Sequence, residues 1–164
     1  MQPSPEGPQS NDSNTGVCAV ILAAGKSTRM RSNIPKPLHP VCGMPLTAHV
    51  IRACRDAGVG RVIVVVGHEA DRVRAGLGDD VEYVHQAEQL GSGHAAMCAE
   101  QALEGFDGTV LIVAGDVPLV TPETLRRLIA AARAGDRAGA MLTAWLDDPT
   151  GYGRGICSAA GSVW

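Results

Sequence analysis

The sequence predicts an α/β protein built on a doubly wound, mostly parallel, Rossmann-like sheet. Strand-like and helix-like segments alternate along most of the chain, which is the pattern of a parallel sheet with crossover helices. Residues 17–24 form an unbroken apolar run, and residues 61–67 are apolar between Arg61 and Gly67. Runs of this length without polar alternation are typical of strands that are buried on both faces.

Each predicted element follows from its own local pattern. The predicted strands cover residues 17–24, 61–67, 81–85, 109–113 and 140–146. Helical spacing predicts helices over residues 45–57, 70–76 and 94–103, and a fourth helix from Pro122 to about Gly135. Gly58 suits the position that follows the first helix, because glycine adopts positive φ without strain. Thr121 before Pro122 marks a helix start, since threonine caps free amides and proline is tolerated in the first turn.

The composition fits one globular domain and excludes several classes of protein. The 164 residues are 45% apolar, which is enough to bury a core. The formal net charge is −3 and no long basic face is present, so we expect no binding to nucleic acid. No apolar run approaches the roughly 20 residues that span a bilayer, so we expect no membrane association.

The N-terminal segment and the cysteines indicate a cytoplasmic chain. Residues 1–16 are rich in Pro, Ser, Asn, Gln and Gly and lack the apolar segment of a signal peptide. We expect this tail to be disordered and one domain to occupy residues 17–164. The five cysteines include no C-x-x-C pair, which indicates free thiols in a reducing compartment rather than disulfides or a zinc site.

The loop after the first strand carries the strongest functional signal. Both lysines of the chain, Lys26 and Lys36, lie in it together with Arg29 and Arg31. A buried strand that ends in a small-residue turn with several cations is suited to bind phosphate groups, so we expect a nucleoside triphosphate as ligand. Two known phosphate-binding loops do not fit. A P-loop would need a glycine where Val20 stands, and the G-x-G-x-x-G pattern is absent.

Other polar residues follow the predicted strands, where ligands bind in open α/β sheets. Asp116 follows the fourth predicted strand and is suited to hold Mg²⁺ beside triphosphate oxygens; a capping or turn aspartate is the alternative. Gln86 follows the third and offers a donor and an acceptor to a nucleobase; an ordinary surface glutamine is the alternative. Residues 147–148, before Pro149, favour a turn over a ligand set. His94, at a helix start, favours a capping or packing role over that of a base.

Five segments together resemble a known family. They are residues 22–30, 35–38, 86–95, 115–119 and 147–154. These segments resemble the uridylyltransferase domain of the bacterial N-acetylglucosamine-1-phosphate uridylyltransferases. The first, LAAGKSTRM, is typical of sugar-phosphate nucleotidyltransferases in general, whereas QAEQLGSGHA at 86–95 is specific to this branch. The resemblance covers residues 17–154 and implies the sheet of the sugar-phosphate nucleotidyltransferase type.

The resemblance implies a role for each matched residue. Contacts with the nucleotide and the sugar would come from Leu22, Ala23, Ala24, Gly25, Lys36, Gln86, Gly91, Ser92, Ala114, Gly115, Asp116 and Gly153. Within this set, Gln86 and Gly91 would contact the uracil, and the backbone of Gly153 would meet the sugar. The backbone of residues 22–25 would contact the uridine.

The same resemblance implies transfer of UMP from UTP to N-acetylglucosamine 1-phosphate, for synthesis of a cell-wall precursor. Arg29 and Lys36 would hold the phosphates as catalytic residues, with Mg²⁺ on Asp116. A phosphate oxygen of the sugar phosphate would attack the α-phosphorus of UTP, giving UDP-N-acetylglucosamine and pyrophosphate. Because the attacking phosphate is already ionised, this reaction needs alignment and charge neutralisation rather than a protein nucleophile.

The sequence also departs from the family. Ser27 stands where glycine is common, and Ser92 where threonine is usual, which keeps the hydroxyl. After Arg154 the family's next strand, its later sugar and metal residues and its acetyltransferase half have no counterpart. We therefore expect a domain that is truncated at its C-terminus and has no acetyltransferase activity. Two alternatives stay open: a non-catalytic module that binds UTP and Mg²⁺, and a sugar-1-phosphate nucleotidyltransferase that uses another nucleotide. Homo-oligomerisation is also left open.

Overall fold

The computed structural model describes residues 16–25, 30–135, 138–153 and 155. In chain order its elements are β1 Val17–Leu22, β2 Pro40–Val41, β3 Met44–Pro45, α1 Leu46–Asp56, β4 Arg61–Val66, α2 Ala70–Leu77, β5 Glu82–His85, α3 Ser92–Met97, β6 Thr109–Ala114 and α4 Pro122–Arg133. Short 3₁₀ turns cover Lys36–Leu38 and Gln101–Leu103.

Four strands form one parallel sheet in the order β5-β4-β1-β6. The predicted parallel α/β architecture is therefore confirmed. Strands β4 and β5 lie on one side of β1, whereas β6 lies on the other. The strand order thus reverses between β1 and β6. In open α/β sheets such a reversal creates a crevice at the carboxyl ends of the two strands. The crevice forms because the crossover helices on the two sides of the reversal pack on opposite faces of the sheet.

Helices cover both faces of the sheet, as a doubly wound fold requires. Successive side chains of a strand point to opposite faces. Ile21 of β1 belongs to one core cluster, with Val50 of α1 and Leu125 of α4, whereas its neighbour Val20 belongs to the other, with Ala95 of α3. Full burial of such a valine, leucine or isoleucine contributes about 1.5–3 kcal/mol, so both layers stabilise the central strand.

The predicted helix boundaries are confirmed where capping chemistry marked them. The side chain of Thr121 accepts a hydrogen bond from the backbone N–H of Thr124 at 3.2 Å, and Pro122 is the first residue of α4. Gly58, just beyond α1, has a φ of 88° and donates its N–H to the carbonyl of Arg55. Both ends satisfy backbone groups that the helix itself leaves unpaired.

The predicted helix over residues 94–103 is only partly right. Helix α3 begins at Ser92 and ends at Met97, and the chain continues in tighter turns. There the N–H of Ala99 donates to the carbonyl of Ala96, three residues back rather than four. Ala99 belongs to the same core cluster as Ile63 of β4, and Leu103 packs against that cluster. Tertiary packing therefore overrides a continuous helical pattern here.

The predicted strand over residues 140–146 is wrong. This segment has no regular secondary structure and pairs with no strand in the part of the chain that the structure describes. Met141 and Leu142 are 58% and 61% exposed, and Trp145 is fully exposed. A strand forms only where its backbone groups find a partner edge and its apolar side chains find a face to cover. The segment finds neither among the described residues.

The sequence patterns did not indicate the hairpin formed by β2 and β3. Its two-residue turn consists of Cys42 and Gly43, with φ of 49° and 82°. Two consecutive positive φ values are what a tight hairpin turn of the I′ type requires. The hairpin connects the 3₁₀ turn at Lys36–Leu38 to the start of α1.

Several predictions fall outside the described residues. Lys26, Ser27, Arg29 and Arg154 belong to this group, as does the predicted tail apart from Gly16. The carbonyl of Gly16 accepts a hydrogen bond from the N–H of Thr109 at 2.7 Å. No helix in the described part of the chain has the length and apolarity to cross a lipid bilayer.

Candidate active site

A small cavity lies in the crevice where the strand order reverses. Its volume is about 110 Å³, and it lies between the ends of β1 and β6. The lining residues are Leu22, Ala23, Gly25, Lys36, Pro37, Thr47, Gly115 and Asp116. Most of these are predicted substrate-binding residues, and they come from separate stretches of the sequence. The structure therefore brings the predicted nucleotide-binding elements around one space.

Lys36 and Asp116 form an ion pair at this cavity. The Nζ of Lys36 contacts Oδ2 of Asp116, although the two residues lie 80 positions apart in the sequence. Lys36 is held by the 3₁₀ turn in which Pro37 is buried, and Asp116 follows β6 by two residues. The two side chains are 31% and 43% exposed, so both charges are accessible to a ligand. This arrangement places a cation and a carboxylate side by side at the open end of the sheet.

Thr47, which the sequence reasoning missed, ties this site to helix α1. The side chain is fully buried, and its hydroxyl donates a hydrogen bond to the carbonyl of Gly115 at 2.9 Å. The N–H of Gly115 in turn donates to the carbonyl of Leu22 at 2.9 Å. A Cβ on Gly115 would lie 3.0 Å from the Thr47 hydroxyl, so the close approach favours glycine. The signal in the sequence was a lone hydroxyl on the face of α1 that carries Val50 and Cys54.

A second cluster forms after β5, around Gln86. The backbone N–H of Gln86 donates to the carbonyl of Val66 at 2.7 Å, and the residue is only 3% exposed. Its side-chain Nε2 donates to the carbonyl of Gly91 at 3.2 Å and lies 2.9 Å from Nδ1 of His94. Gly91 has a φ of 106°, in the region that favours glycine. His94 is predicted from the sequence to cap or pack at a helix start, and this contact with Gln86 is not indicated by that prediction.

Gln89 links the segment after β5 to the end of β1. A Cβ on Gly67 would lie 2.6 Å from the carbonyl oxygen of Ala24 and 2.8 Å from Nε2 of Gln89, so these three residues meet. The Oε1 of Gln89 is buried and accepts no hydrogen bond from any residue that the structure describes. The predicted uracil-contacting segment therefore reaches the predicted nucleotide loop at Ala24.

The remaining predicted site residues occupy different positions. Ala114 is the last residue of β6 and pairs with Leu22 in the sheet. Ser92 begins α3 and is exposed. Gly153 is exposed and does not line the cavity between β1 and β6. Arg29 lies outside the described residues.

The predicted turn at residues 147–148 is present. The N–H of Thr150 donates to Oδ1 of Asp148 at 3.0 Å, and hydrogen bonding by Thr150 lowers the pKa of this carboxyl. The N–H of Tyr152 donates to the carbonyl of Pro149 at 3.0 Å. Within the described ranges, no three or more His, Cys, Asp or Glu side chains come together in a metal-binding group.

The sequence matches a known family model over most of its length. The model describes the MobA-like NTP transferase domain and matches residues 19–160. Among curated proteins, the chain is 51% identical over 145 residues to the "Bifunctional protein GlmU" of Exiguobacterium sp., covering 88% of this chain and 32% of that protein. It is 45% identical over 149 residues to the protein of the same name from Geotalea daltonii, covering 90% of this chain and 33% of the relative. The chain thus spans about a third of the length of the curated relatives it matches.

Solved structures share the fold. Rv0371c from Mycobacterium tuberculosis H37Rv superposes with a TM-score of 0.63 at 29% identity, covering 72% of this chain and 61% of that chain. A nucleotidyl transferase from Methanothermobacter superposes with a TM-score of 0.57 at 30% identity, covering 71% of this chain and 58% of that chain. HddC from Yersinia pseudotuberculosis, complexed with GMP-PN, superposes with a TM-score of 0.54 at 29% identity, covering 60% of this chain and 47% of that chain. These likenesses and the family match confirm the predicted fold type, and the identity to the GlmU proteins, together with the family match, confirms the resemblance drawn from the motifs.

Proposed function

The chain belongs to the MobA-like NTP transferase domain family and is a nucleotidyltransferase domain, and we propose that it transfers UMP from UTP to N-acetylglucosamine 1-phosphate. The products are UDP-N-acetylglucosamine and pyrophosphate. The observation that carries this proposal is the contact between Lys36 and Asp116 at the strand-order reversal. The 45% to 51% identity to two bifunctional GlmU proteins supports the choice of a uridine nucleotide and an amino-sugar phosphate.

The site supports binding of a nucleoside triphosphate at three places. The backbone at the end of β1, from Leu22 to Gly25, lies beside Gly115, and residues 23–25 are small, which leaves room for a nucleotide. Lys36 would contact the phosphates, with Arg29 as a second cation. Gln86 and Gly91 would hold the uracil beyond the end of β5, which lies two strands from β1 on the side away from β6.

Asp116 fits the role of a protein ligand to a divalent cation, for which we propose Mg²⁺. Its carboxylate is partly exposed at the cavity, and carboxylate oxygen is the ligand type that Mg²⁺ prefers. A single carboxylate suffices for a cation that is otherwise held by triphosphate oxygens and water. When bound, the cation would neutralise charge that develops on the phosphates. One relative of the fold, Rv0371c, was solved in complex with manganese, which supports a divalent cation in this role.

The proposed chemistry is an in-line displacement at the α-phosphorus of UTP. An oxygen of the sugar phosphate forms the new bond to phosphorus, and the bond to the bridging oxygen of the leaving pyrophosphate breaks. The attacking oxygen is already ionised, so no protein base has to remove a proton. Lys36 supplies fixed positive charge beside the reacting phosphates, and the buried contacts of Thr47 and Gly115 hold the Asp116 loop in place. Preorganised charge of this kind is the main source of rate in phosphoryl and nucleotidyl transfer.

Two measurements on the full chain test the proposal. Isothermal titration with UTP and Mg²⁺ should show binding, and N-acetylglucosamine 1-phosphate should then trigger pyrophosphate release. In the variant Asp116→Asn, binding of UTP should lose most of its dependence on Mg²⁺. Binding without pyrophosphate release would favour a non-catalytic nucleotide-binding module. Absence of UTP binding would overturn the proposal.

A different nucleotide is the second candidate, and one observation favours it. HddC, which shares the fold, was solved in complex with GMP-PN. A panel of UTP, CTP, GTP and dTTP in the same titration would decide between the candidates. If GTP binds most tightly, the proposed reaction uses a guanosine nucleotide rather than a uridine nucleotide.

A further inference from the structure

Both amide hydrogens of Gln86 are used inside the protein. Nε2 donates one to the carbonyl of Gly91 at 3.2 Å and the other to Nδ1 of His94, 2.9 Å away. The residue is only 3% exposed, and its Oε1 accepts no hydrogen bond from the residues that the structure describes. An amide oxygen that no protein donor occupies can accept a hydrogen bond from a ligand.

His94 and the Gly91 carbonyl together favour one orientation of the Gln86 amide. A ring nitrogen that accepts a hydrogen bond carries no proton, so the neutral imidazole must hold its proton on Nε2. If the amide of Gln86 were turned over, Oε1 would face the Gly91 carbonyl, which can only accept, and His94 could pair with it only in the tautomer that carries the proton on Nδ1. Both partners therefore act together to keep Nε2 inside and Oε1 outward. Nothing in the sequence pattern around His94 indicates this role.

We propose that His94 is a positioning residue that fixes the amide of Gln86 so that its oxygen accepts the N3–H of a uracil-type base. This inference rests on the proposed function, in which Gln86 contacts the base. Uracil presents an N–H between two carbonyl groups, whereas cytosine presents a lone pair at the same ring position. A fixed acceptor therefore pairs with uracil and opposes cytosine. Selectivity for UTP over CTP would then depend on His94, which itself need not touch the nucleotide.

Selectivity is the measurement that separates positioning from mere packing. We would titrate UTP and CTP separately, each with Mg²⁺, into the unmodified chain and into His94→Leu and His94→Asn. In His94→Leu the ratio of UTP to CTP affinity should fall about fivefold, the effect of losing one neutral hydrogen bond that orients the amide. In His94→Asn the Oδ1 of the new side chain can accept from Nε2 in place of Nδ1, so this variant should retain the ratio. A purely structural role would weaken both nucleotides equally, and an unchanged ratio in His94→Leu would overturn the inference.

A measurement on the unmodified chain covers the case in which His94→Leu does not fold. Nitrogen-15 NMR of the neutral imidazole should show its single proton on Nε2 and none on Nδ1. A proton on Nδ1 would overturn the inference, because that nitrogen could not accept from Gln86. The variant Gln86→Ala separates the two proposals. If Gln86→Ala leaves UTP affinity unchanged, the proposed base contact fails. If it weakens UTP while His94→Leu keeps the ratio, only the role of His94 fails.

Discussion

The ammonium group of Lys36 contacts the carboxylate of Asp116 across the crevice between β1 and β6, although the two residues are 80 positions apart in the sequence. Each residue neutralises the other in the free protein. A triphosphate that carries a divalent cation has negative charge on its phosphates and positive charge on the cation. It can therefore pair its phosphates with Lys36 and its cation with Asp116. The pair therefore marks where a ligand of this type would insert.

Replacing Lys36 by alanine should weaken binding of UTP with Mg²⁺ by about 1–3 kcal/mol, the range for a charge-assisted hydrogen bond. Isothermal titration measures the change. Arg52→Ala is a matched control, because Arg52 forms an exposed pair with Asp56 at 3.7 Å on α1 and should leave affinity unchanged. Equal affinity of Lys36→Ala and the unmodified chain would remove Lys36 from the site.

Replacing Thr47 by valine should lower the free energy of unfolding by about 1–3 kcal/mol, because the buried carbonyl of Gly115 loses its donor. Urea denaturation followed by circular dichroism gives this value. The variant Thr47→Ser keeps the hydroxyl and should lose less. If Thr47→Val is as stable as the unmodified chain, the hydrogen bond does not hold the loop after β6.

Replacing Gly67 by alanine should both destabilise the chain and weaken nucleotide binding. The new Cβ would lie 2.6 Å from the carbonyl oxygen of Ala24, so the backbone after β1 would have to move. Overpacking of this kind costs about 1–3 kcal/mol. Gly60→Ala is the control, because nothing lies within 4 Å of a Cβ at that position. Unfolding and UTP titrations on both variants check the prediction, and similar behaviour of the two would contradict it.

The buried cysteines should resist alkylation in the native chain. Burial raises the pKa of the Cys54 thiol to about 11 and also raises the pKa of Cys18. Few thiolates are therefore present at mildly alkaline pH, and reagents cannot reach either side chain. Cys42 is exposed in the β2–β3 turn and should react first among the cysteines that the structure describes. Peptide-level mass spectrometry after a short pulse of iodoacetamide, with and without denaturant, reports each site. Fast labelling of Cys54 in the native chain would contradict this prediction, because it would show that the core around Cys54 opens to the reagent.

Acid should remove the stabilising effect of the ion pair between Arg61 and Glu82. The guanidinium of Arg61 donates to both carboxylate oxygens at 2.7 Å, and this hydrogen bonding lowers the pKa of Glu82. A carboxyl with a lowered pKa stabilises the folded state above its unfolded pKa, about 4.3, and stops doing so as the pH falls through its folded value. Because Glu82 is 50% exposed, we expect an effect below about 1 kcal/mol.

The variant Glu82→Gln checks this prediction. It should be less stable than the unmodified chain at neutral pH, and the difference should disappear once the pH has fallen below the lowered pKa of Glu82. Urea denaturation at both pH values gives the two differences in unfolding free energy. A difference of the same size in acid would assign the effect to packing rather than to charge.

The sequence by itself determined the elements whose signals are local. Unbroken apolar runs specify β1 and β4 because both faces of a central parallel strand are buried, and Thr121 with Pro122 specifies the start of α4 because capping involves neighbouring residues. Local patterns also predicted a strand at residues 140–146, wrongly, because a strand depends on a partner edge that its own residues cannot supply.

Only the tertiary structure decided the contacts that join distant segments. The pairing of Lys36 with Asp116, the hydrogen bond from Thr47 to Gly115 and the contact of Gln86 with His94 depend on strand order and on how the loops fold back. The sequence indicated that Lys36, Asp116 and Gln86 lie at strand ends, since parallel strands share one carboxyl edge. It could not assign a role to Thr47 or His94, because a hydroxyl on the apolar face of a helix or an imidazole at a helix start acquires a role only from the group that packing places beside it.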